Sequence, residues 1–120
     1  PKVRIPAYAL GAHTASLGLA FYTHDAIPVF KNGAIIGQHG SWNREPKSGY
    51  QVLFVPFNEG GQPTGAPRHI LTGFLDDKGR AMGRPVGVVV DQRGDILVAD
   101  DVGGMVWRVS PSVVYSGDPR

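Results

Sequence analysis

The chain has 120 residues, 42% of them hydrophobic and 18% charged, with 12 Lys and Arg against 10 Asp and Glu. That size and balance describe globular sequence with enough apolar surface for a core. The basic residues are scattered and form no track for a phosphate backbone, which argues against nucleic-acid binding. No apolar run approaches the ~20 residues of a membrane span. Cysteine is absent, which removes disulfides and thiolate metal sites. The 17 Gly and 10 Pro predict frequent turns and no long helices.

In chain order, the sequence opens on Pro1 in polar, extended sequence, and a processed or truncated product is expected. Ala7 to Phe21 could be drawn as an apolar helical face, but Pro6, Gly11 and Gly18 argue for short strands instead. Strands are predicted at Leu19–Tyr22 and Ala34–Gly37, the second followed by a polar, Gly-containing stretch over Gln38–Gly49. Tyr50–Phe57 is the longest strand and is apolar on both faces, which implies burial between layers. His69–Leu71 is a fourth. The pattern then starts again: strands at Val86–Asp91, Asp95–Ala99 and Met105–Ser110, and a weak last one at Val113–Ser116.

The two halves align as a repeat. Gly18-Leu19-Ala20-Phe21 answers Gly87-Val88-Val89-Val90, and Gly33-Ala34-Ile35-Ile36-Gly37 answers Gly94-Asp95-Ile96-Leu97-Val98. Gln51-Val52-Leu53-Phe54-Val55 answers Met105-Val106-Trp107-Arg108-Val109. A repeated four-stranded antiparallel meander is the unit of a β-propeller blade. The expected fold is therefore all-β, with one blade over about 7–74 and a second over about 84–117. Two blades cannot close a ring, since each buries its faces on neighbours. A piece of a larger propeller is expected; the alternative is a small self-contained β-sandwich.

Meander topology puts the second-to-third loop on the same rim as the segment leading into the first strand. One rim thus receives Ala7–Leu17, Gln38–Gly49, Leu75–Pro85 and Asp100–Gly104, and the other Thr23–Lys31, Asn58–Pro67 and Gln92-Arg93. The first is much richer in side chains that do chemistry. Its most informative stretch is Gln38-His39-Gly40-Ser41-Trp42-Asn43-Arg44. Trp offers a flat stacking surface, Arg a planar fork for carboxylates, and His and Asn hydrogen bonds. That combination suits a flat, anionic ring system; the alternative is a capped loop whose Trp packs on a neighbouring blade.

Arg84 is either a cation lining the channel or an ordinary surface arginine. Asp100-Asp101, with no third carboxylate nearby, is expected to cap the following turn rather than bind metal. His13 is expected to be a satisfied structural histidine, His24 and His69 surface residues, and Trp107 core. No Ser–His–Asp order, P-loop or metal-spaced His pair is present.

Three segments carry a family resemblance. They are Ala12–Tyr22, Gly37–Arg44, and Gly83-Arg84-Pro85-Val86-Gly87-Val88 followed by Gly94–Gly104. They resemble the glucose/sorbosone dehydrogenase family of soluble enzymes dependent on pyrroloquinoline quinone (PQQ), with the L-sorbosone dehydrogenase branch the most similar. The resemblance covers nearly the whole chain and implies a six-bladed propeller, of which this chain would be the C-terminal two blades. It implies PQQ on the upper rim with a calcium ion beside it, and oxidation of a sugar or aldehyde. Arg84 matches a family arginine that faces cofactor carboxylates. Gly40 stands near the point where other branches place a lysine, and His39 and Arg44 are candidates to replace it. With Trp42 and Asn43, these are the expected cofactor-side residues. The resemblance places the general-base histidine and most calcium ligands in earlier blades. No catalytic or metal residue is therefore assigned here, and the chain is expected to be inactive alone.

The implied partners are the remaining blades, a sugar or aldehyde substrate, and an external electron acceptor such as a cytochrome or dye. The implied location is periplasmic or secreted. Two other classes stand beside the enzyme: a non-enzymatic binding propeller, and a two-blade protein whose copies close a ring.

Overall fold

The computed structural model describes residues 5–111. It is all-β, with seven strands and a single 3-10 turn at Pro28–Phe30 among these residues. The strands are β1 (Ser16–Tyr22), β2 (Gly33–Gln38), β3 (Gln51–Pro56), β4 (Arg68–Leu71), β5 (Pro85–Val90), β6 (Ile96–Asp100) and β7 (Met105–Val109). β1 to β4 form one antiparallel sheet in sequence order, and β5 to β7 a second. β1 begins three residues before the predicted strand, because Ser16 pairs with Gln38 across a register shift. The weak strand expected at Val113–Ser116 lies outside the described residues.

Period-2 alternation explains how the sheets stack. Tyr22, Ile35, Val52 and Phe54 share one face of the first sheet and form a single buried cluster with Ile96 and Val98 of the second. Val88, Val90 and Val109 pack on the same cluster. Full burial of each such side chain contributes about 1.5–3 kcal/mol, so the core that stabilises either sheet is shared with the other. The inner strands approach closely: a Cβ at Gly18 of β1 would fall on the Val86 carbonyl of β5. No larger residue fits there without separating the sheets.

The outer faces of this stack are also apolar. On the first sheet, Ala34, Ile36 and Val55 are covered by Tyr8, Leu10 and Phe57, whereas Leu17, Leu19 and Phe21 stand exposed. On the second, Val89 and Val106 are exposed beside Leu97 and Ala99 in a shallow groove. A self-contained sandwich would turn polar faces outward. Two consecutive meanders, stacked face to face with apolar outer surfaces, are propeller blades.

The registers correct one part of the repeat. Leu19 pairs with Ile36 and Phe21 with Ala34, while Val88 pairs with Val98 and Val90 with Ile96. Ala34 therefore answers Ile96 and Ile36 answers Val98, one residue away from the alignment on Gly33 and Gly94. The first and third strands align as expected, since Ala34 pairs with Val55 and Ile96 with Val109. A one-residue slip exchanges the two faces of a strand, so pairing and not local similarity decides the match.

Trp107 is not core. It shares the core-facing side with Val98, but β7 is the last described strand of its sheet and leaves the indole 39% exposed.

Candidate functional site on the upper rim

All four segments expected on one rim meet there. The amides of His39 and Gly40 donate to the carbonyls of Ala15 and Thr14 at 2.9 and 3.0 Å, which carries the β1–β2 ladder into the loop. Ser48 Oγ donates to the His13 carbonyl at 3.2 Å, and Arg44 Nη1 to that of Ala12, also at 3.2 Å. Ser41 and Ser48 close the loop on itself: the Ser41 amide donates to the Ser48 carbonyl at 2.8 Å, and the Ser48 amide to Ser41 Oγ at 3.0 Å.

Gly40 makes this tight turn possible. Its φ is +98°, and a Cβ there would enter the Tyr50 ring. Tyr50 itself sits at φ 59°, a region that bulky residues rarely adopt. That conformation turns its ring beneath the loop, where its hydroxyl donates to the Ser41 carbonyl at 2.6 Å.

The second sheet reaches into the loop through Arg84. Its Nε donates to the His39 carbonyl at 2.9 Å. Its Nη2 donates to the carbonyls of Gly40 at 2.9 Å and Ser41 at 3.1 Å. The guanidinium also lies over the Tyr50 ring, 5.0 Å from its centroid. The Arg84 amide donates to Asp100 Oδ1 at 2.8 Å, and its carbonyl accepts from the Asp101 amide at 3.0 Å. A second tie runs from His39 Nε2 to Asp101 Oδ2 at 3.1 Å.

Asp100 organises the far side of this contact. It is buried, and its carboxylate also accepts from the Gly103 amide at 2.8 Å and from Trp107 Nε1 at 3.0 Å. Burial alone would raise its pKa. The bonds from Gly103, Trp107 and Arg84 outweigh that and hold it below the usual carboxylate range. Asp100 thus caps the turn, as expected, whereas Asp101 turns to His39. Nearby, Asp76 is also lowered, first by the Arg80 amide, and it accepts Arg80 Nε at 2.9 Å.

The five candidate residues divide into two groups. Trp42, Asn43 and Arg44 are exposed at the loop tip, with the Trp42 side 82% accessible and Asn43 at φ 52°. His39 and Arg84 are partly buried beneath them and tied to the opposite sheet. The Trp42 indole does not pack on the neighbouring described blade. Tyr50, Ser41 and Asp101 complete the arrangement; Tyr50 was missed in the sequence, Ser41 stood in the informative stretch without a role, and Asp101 was expected only as part of a turn cap. A Gly-aromatic pair at the return into the longest strand was the available signal for Tyr50.

Other histidines also differ from expectation. His13 is exposed, and its carbonyl rather than its imidazole is engaged. His24 is no simple surface residue: its Nε2 meets the Gln92 carbonyl at 3.2 Å on the lower rim, and it packs against Gly94. Among the described residues, no group of three or more His, Asp or Glu gathers as a metal site, and no helix is long and apolar enough to cross a membrane.

The class these features define is a pair of adjacent propeller blades with a braced upper-rim loop. The chain belongs to the TrAA12-like family, whose model matches residues 2–112. Curated relatives include an uncharacterized protein of Borreliella burgdorferi, 35% identical over 103 residues. The PQQ-dependent pyranose dehydrogenase of Coprinopsis cinerea is 30% identical over 121 aligned positions. These matches cover 85% and 87% of this chain, which spans 27% and 16% of the respective relatives. Among solved structures, the holo form of the Coprinopsis cinerea pyranose dehydrogenase PQQ domain superposes with a TM-score of 0.67. Its identity is 30%, covering 82% of this chain and 27% of that one. A Trichoderma reesei carbohydrate-active enzyme of family AA12, solved with calcium, gives 0.65 at 28% identity, covering 81% and 24%.

Proposed function

We propose that this chain forms two neighbouring blades of a PQQ-dependent sugar or aldehyde oxidoreductase and contributes one rim of its quinone site. The observation that carries the reading is the braced Gln38–Arg44 loop, in a chain whose relatives include a PQQ-dependent pyranose dehydrogenase. The proposed blades take in about 7–74 and 84–117, of which residues 112–117 lie outside the described ones, and the remaining blades cover the exposed apolar faces at Leu17, Leu19 and Phe21 and at Val89 and Val106.

The rim residues fit a planar polycarboxylate. Trp42 offers an exposed indole face. Arg44 donates from Nη1 to the Ala12 carbonyl, one of its five guanidinium donors. Asn43 adds amide donors and acceptors, and His39 and Arg84 hold the loop from below. Bound PQQ would supply the two-electron acceptor; the protein's part is to orient it and exclude water. Calcium belongs to the complete protein, with no ligand assigned to this chain. The substrate class is an aldose or L-sorbosone, the acceptor a cytochrome or dye, and the location periplasmic or secreted.

The test is reconstitution of the intact protein with calcium and PQQ, followed by dye reduction with a panel of aldoses, aldehydes and L-sorbosone. Turnover with at least one sugar is expected. Absence of reduction across the panel, in protein shown to be folded, overturns the enzyme reading in favour of a binding propeller.

A further inference from the structure

We infer that Arg84 acts as a positioning residue: through Nε and Nη2 it pins the His39–Ser41 backbone from the neighbouring sheet and thereby presents Trp42, Asn43 and Arg44, a role distinct from a direct ligand contact. What is presented rests on the quinone reading above; the pinning does not.

Three successive carbonyls accept from one guanidinium, at 2.9, 2.9 and 3.1 Å. Carbonyl oxygens rarely converge in this way unless a cation gathers them, and a planar fork suits the task because its donors are fixed in direction. The arginine is held at both ends. Asp100 and Asp101 hold its backbone, and the Tyr50 ring lies against its guanidinium. Turning Nε and Nη2 toward an anion would break all three loop bonds, take this donor from the His39 and Gly40 carbonyls and leave the Ser41 carbonyl to Tyr50 alone, a costly exchange. Beyond Ser41 the chain turns outward, and the next three side chains are exposed. The His39–Asp101 tie joins the same two segments, so the loop is braced from the second sheet twice.

Lysine discriminates between the two roles. It keeps the charge, which a direct carboxylate contact mainly needs, but lacks the fork that three carbonyls need. The experiment uses the intact protein as wild type, Arg84→Lys and Arg84→Ala. Amide hydrogen exchange is measured without quinone at His39, Gly40 and Ser41, whose amides are all hydrogen-bonded. PQQ affinity is then titrated in the presence of calcium.

Both variants are expected to exchange about tenfold faster or more at these amides, with Ile35 and Phe54 in the core unchanged. Lysine is expected to lose as much PQQ affinity as alanine. Unchanged loop exchange in both variants overturns the inference. So does a lysine variant that retains wild-type affinity, which would mark a direct charge contact. Faster loop exchange with undiminished affinity also overturns it. If wild-type protein binds no PQQ, the functional reading fails, while the exchange data still decide the pinning.

Discussion

The two rims of this blade pair are both stitched across the sheets, but by opposite means. On the lower rim one buried hydroxyl crosses between the sheets beside an exposed bond from His24 to Gln92, and the other ties lie within one sheet. The Tyr22 hydroxyl donates to the Gly94 carbonyl at 2.5 Å and accepts from the Ile27 amide at 3.1 Å. Asp91 and Asp95 take Arg108 between them at 2.6 and 2.8 Å, and Asp91 also caps its own turn. The carboxylates of that turn are engaged by their neighbours. On the upper rim the stitches run beneath a twelve-residue loop, Gln38–Gly49, and end at its backbone. The loop tip is therefore held in place while its side chains stay accessible. The comparison sets an end tied through a hydroxyl and carboxylates against a loop braced at its backbone from the next sheet.

The largest effect that would sharpen this contrast is expected at Asp100. Replacing it with Asn weakens acceptors for three donors in a buried place, and a stability loss of about 2–4 kcal/mol is expected at neutral pH. Its pKa is lowered in the folded state. The contribution is therefore complete above the unfolded carboxylate value of ~3.9 and is lost as pH falls through the folded one. Denaturant midpoints for wild type and Asp100→Asn should thus differ widely at pH 7 and converge in acid. Equal midpoints at every pH would show that the carboxylate does not organise the turn.

A smaller effect is expected at Tyr22. Its phenol is raised in pKa first by burial, with Asp95, Asp91 and Asp25 adding in the same direction, so it stays a neutral donor. Tyr22→Phe keeps the ring in the core and removes the bond to Gly94, at an expected cost of about 1–2 kcal/mol. PQQ affinity of the folded variant should equal that of wild type. A drop in affinity without loss of stability would join the two rims functionally and break the comparison.

The smallest stability effect is expected at Trp42. The side chain is exposed, so Trp42→Ala should move thermal stability by no more than about 0.5 kcal/mol. PQQ affinity should fall by roughly tenfold, the scale of one lost aromatic stacking contact. A large loss of stability with unaltered affinity would make the indole a packing group and return the loop to a structural role.

Much of the fold was legible in the sequence because apolar alternation reports burial directly. Val52, Leu53, Phe54 and Val55 are apolar on both faces, and both faces are buried. The rim assignment was legible too, since meander order dictates which loops share an end. Two kinds of error remained. Gly33 and Gly94 look equivalent next to their apolar runs, yet Gly33 lies in the β2 ladder and Gly94 in a turn at φ 88°. The pattern cannot tell these apart, and the alignment slipped by one residue. Trp107 has the right parity for the core but lies on the last described strand, and position within a sheet is not encoded in alternation.

The candidate site divides along the same line. The residue types at His39, Trp42, Asn43 and Arg44, and the rim on which they stand, follow from the sequence, because they depend on loop composition and strand order. The partners of Arg84 do not. They are backbone carbonyls, which every residue carries and no side-chain pattern marks. Only the stacking of one sheet on the other brings three of them, at His39, Gly40 and Ser41, within reach of a single guanidinium. Sequence determined the blades and the loop, through local alternation and turn chemistry. Tertiary structure decided what braces the loop, because that bracing joins atoms more than forty residues apart.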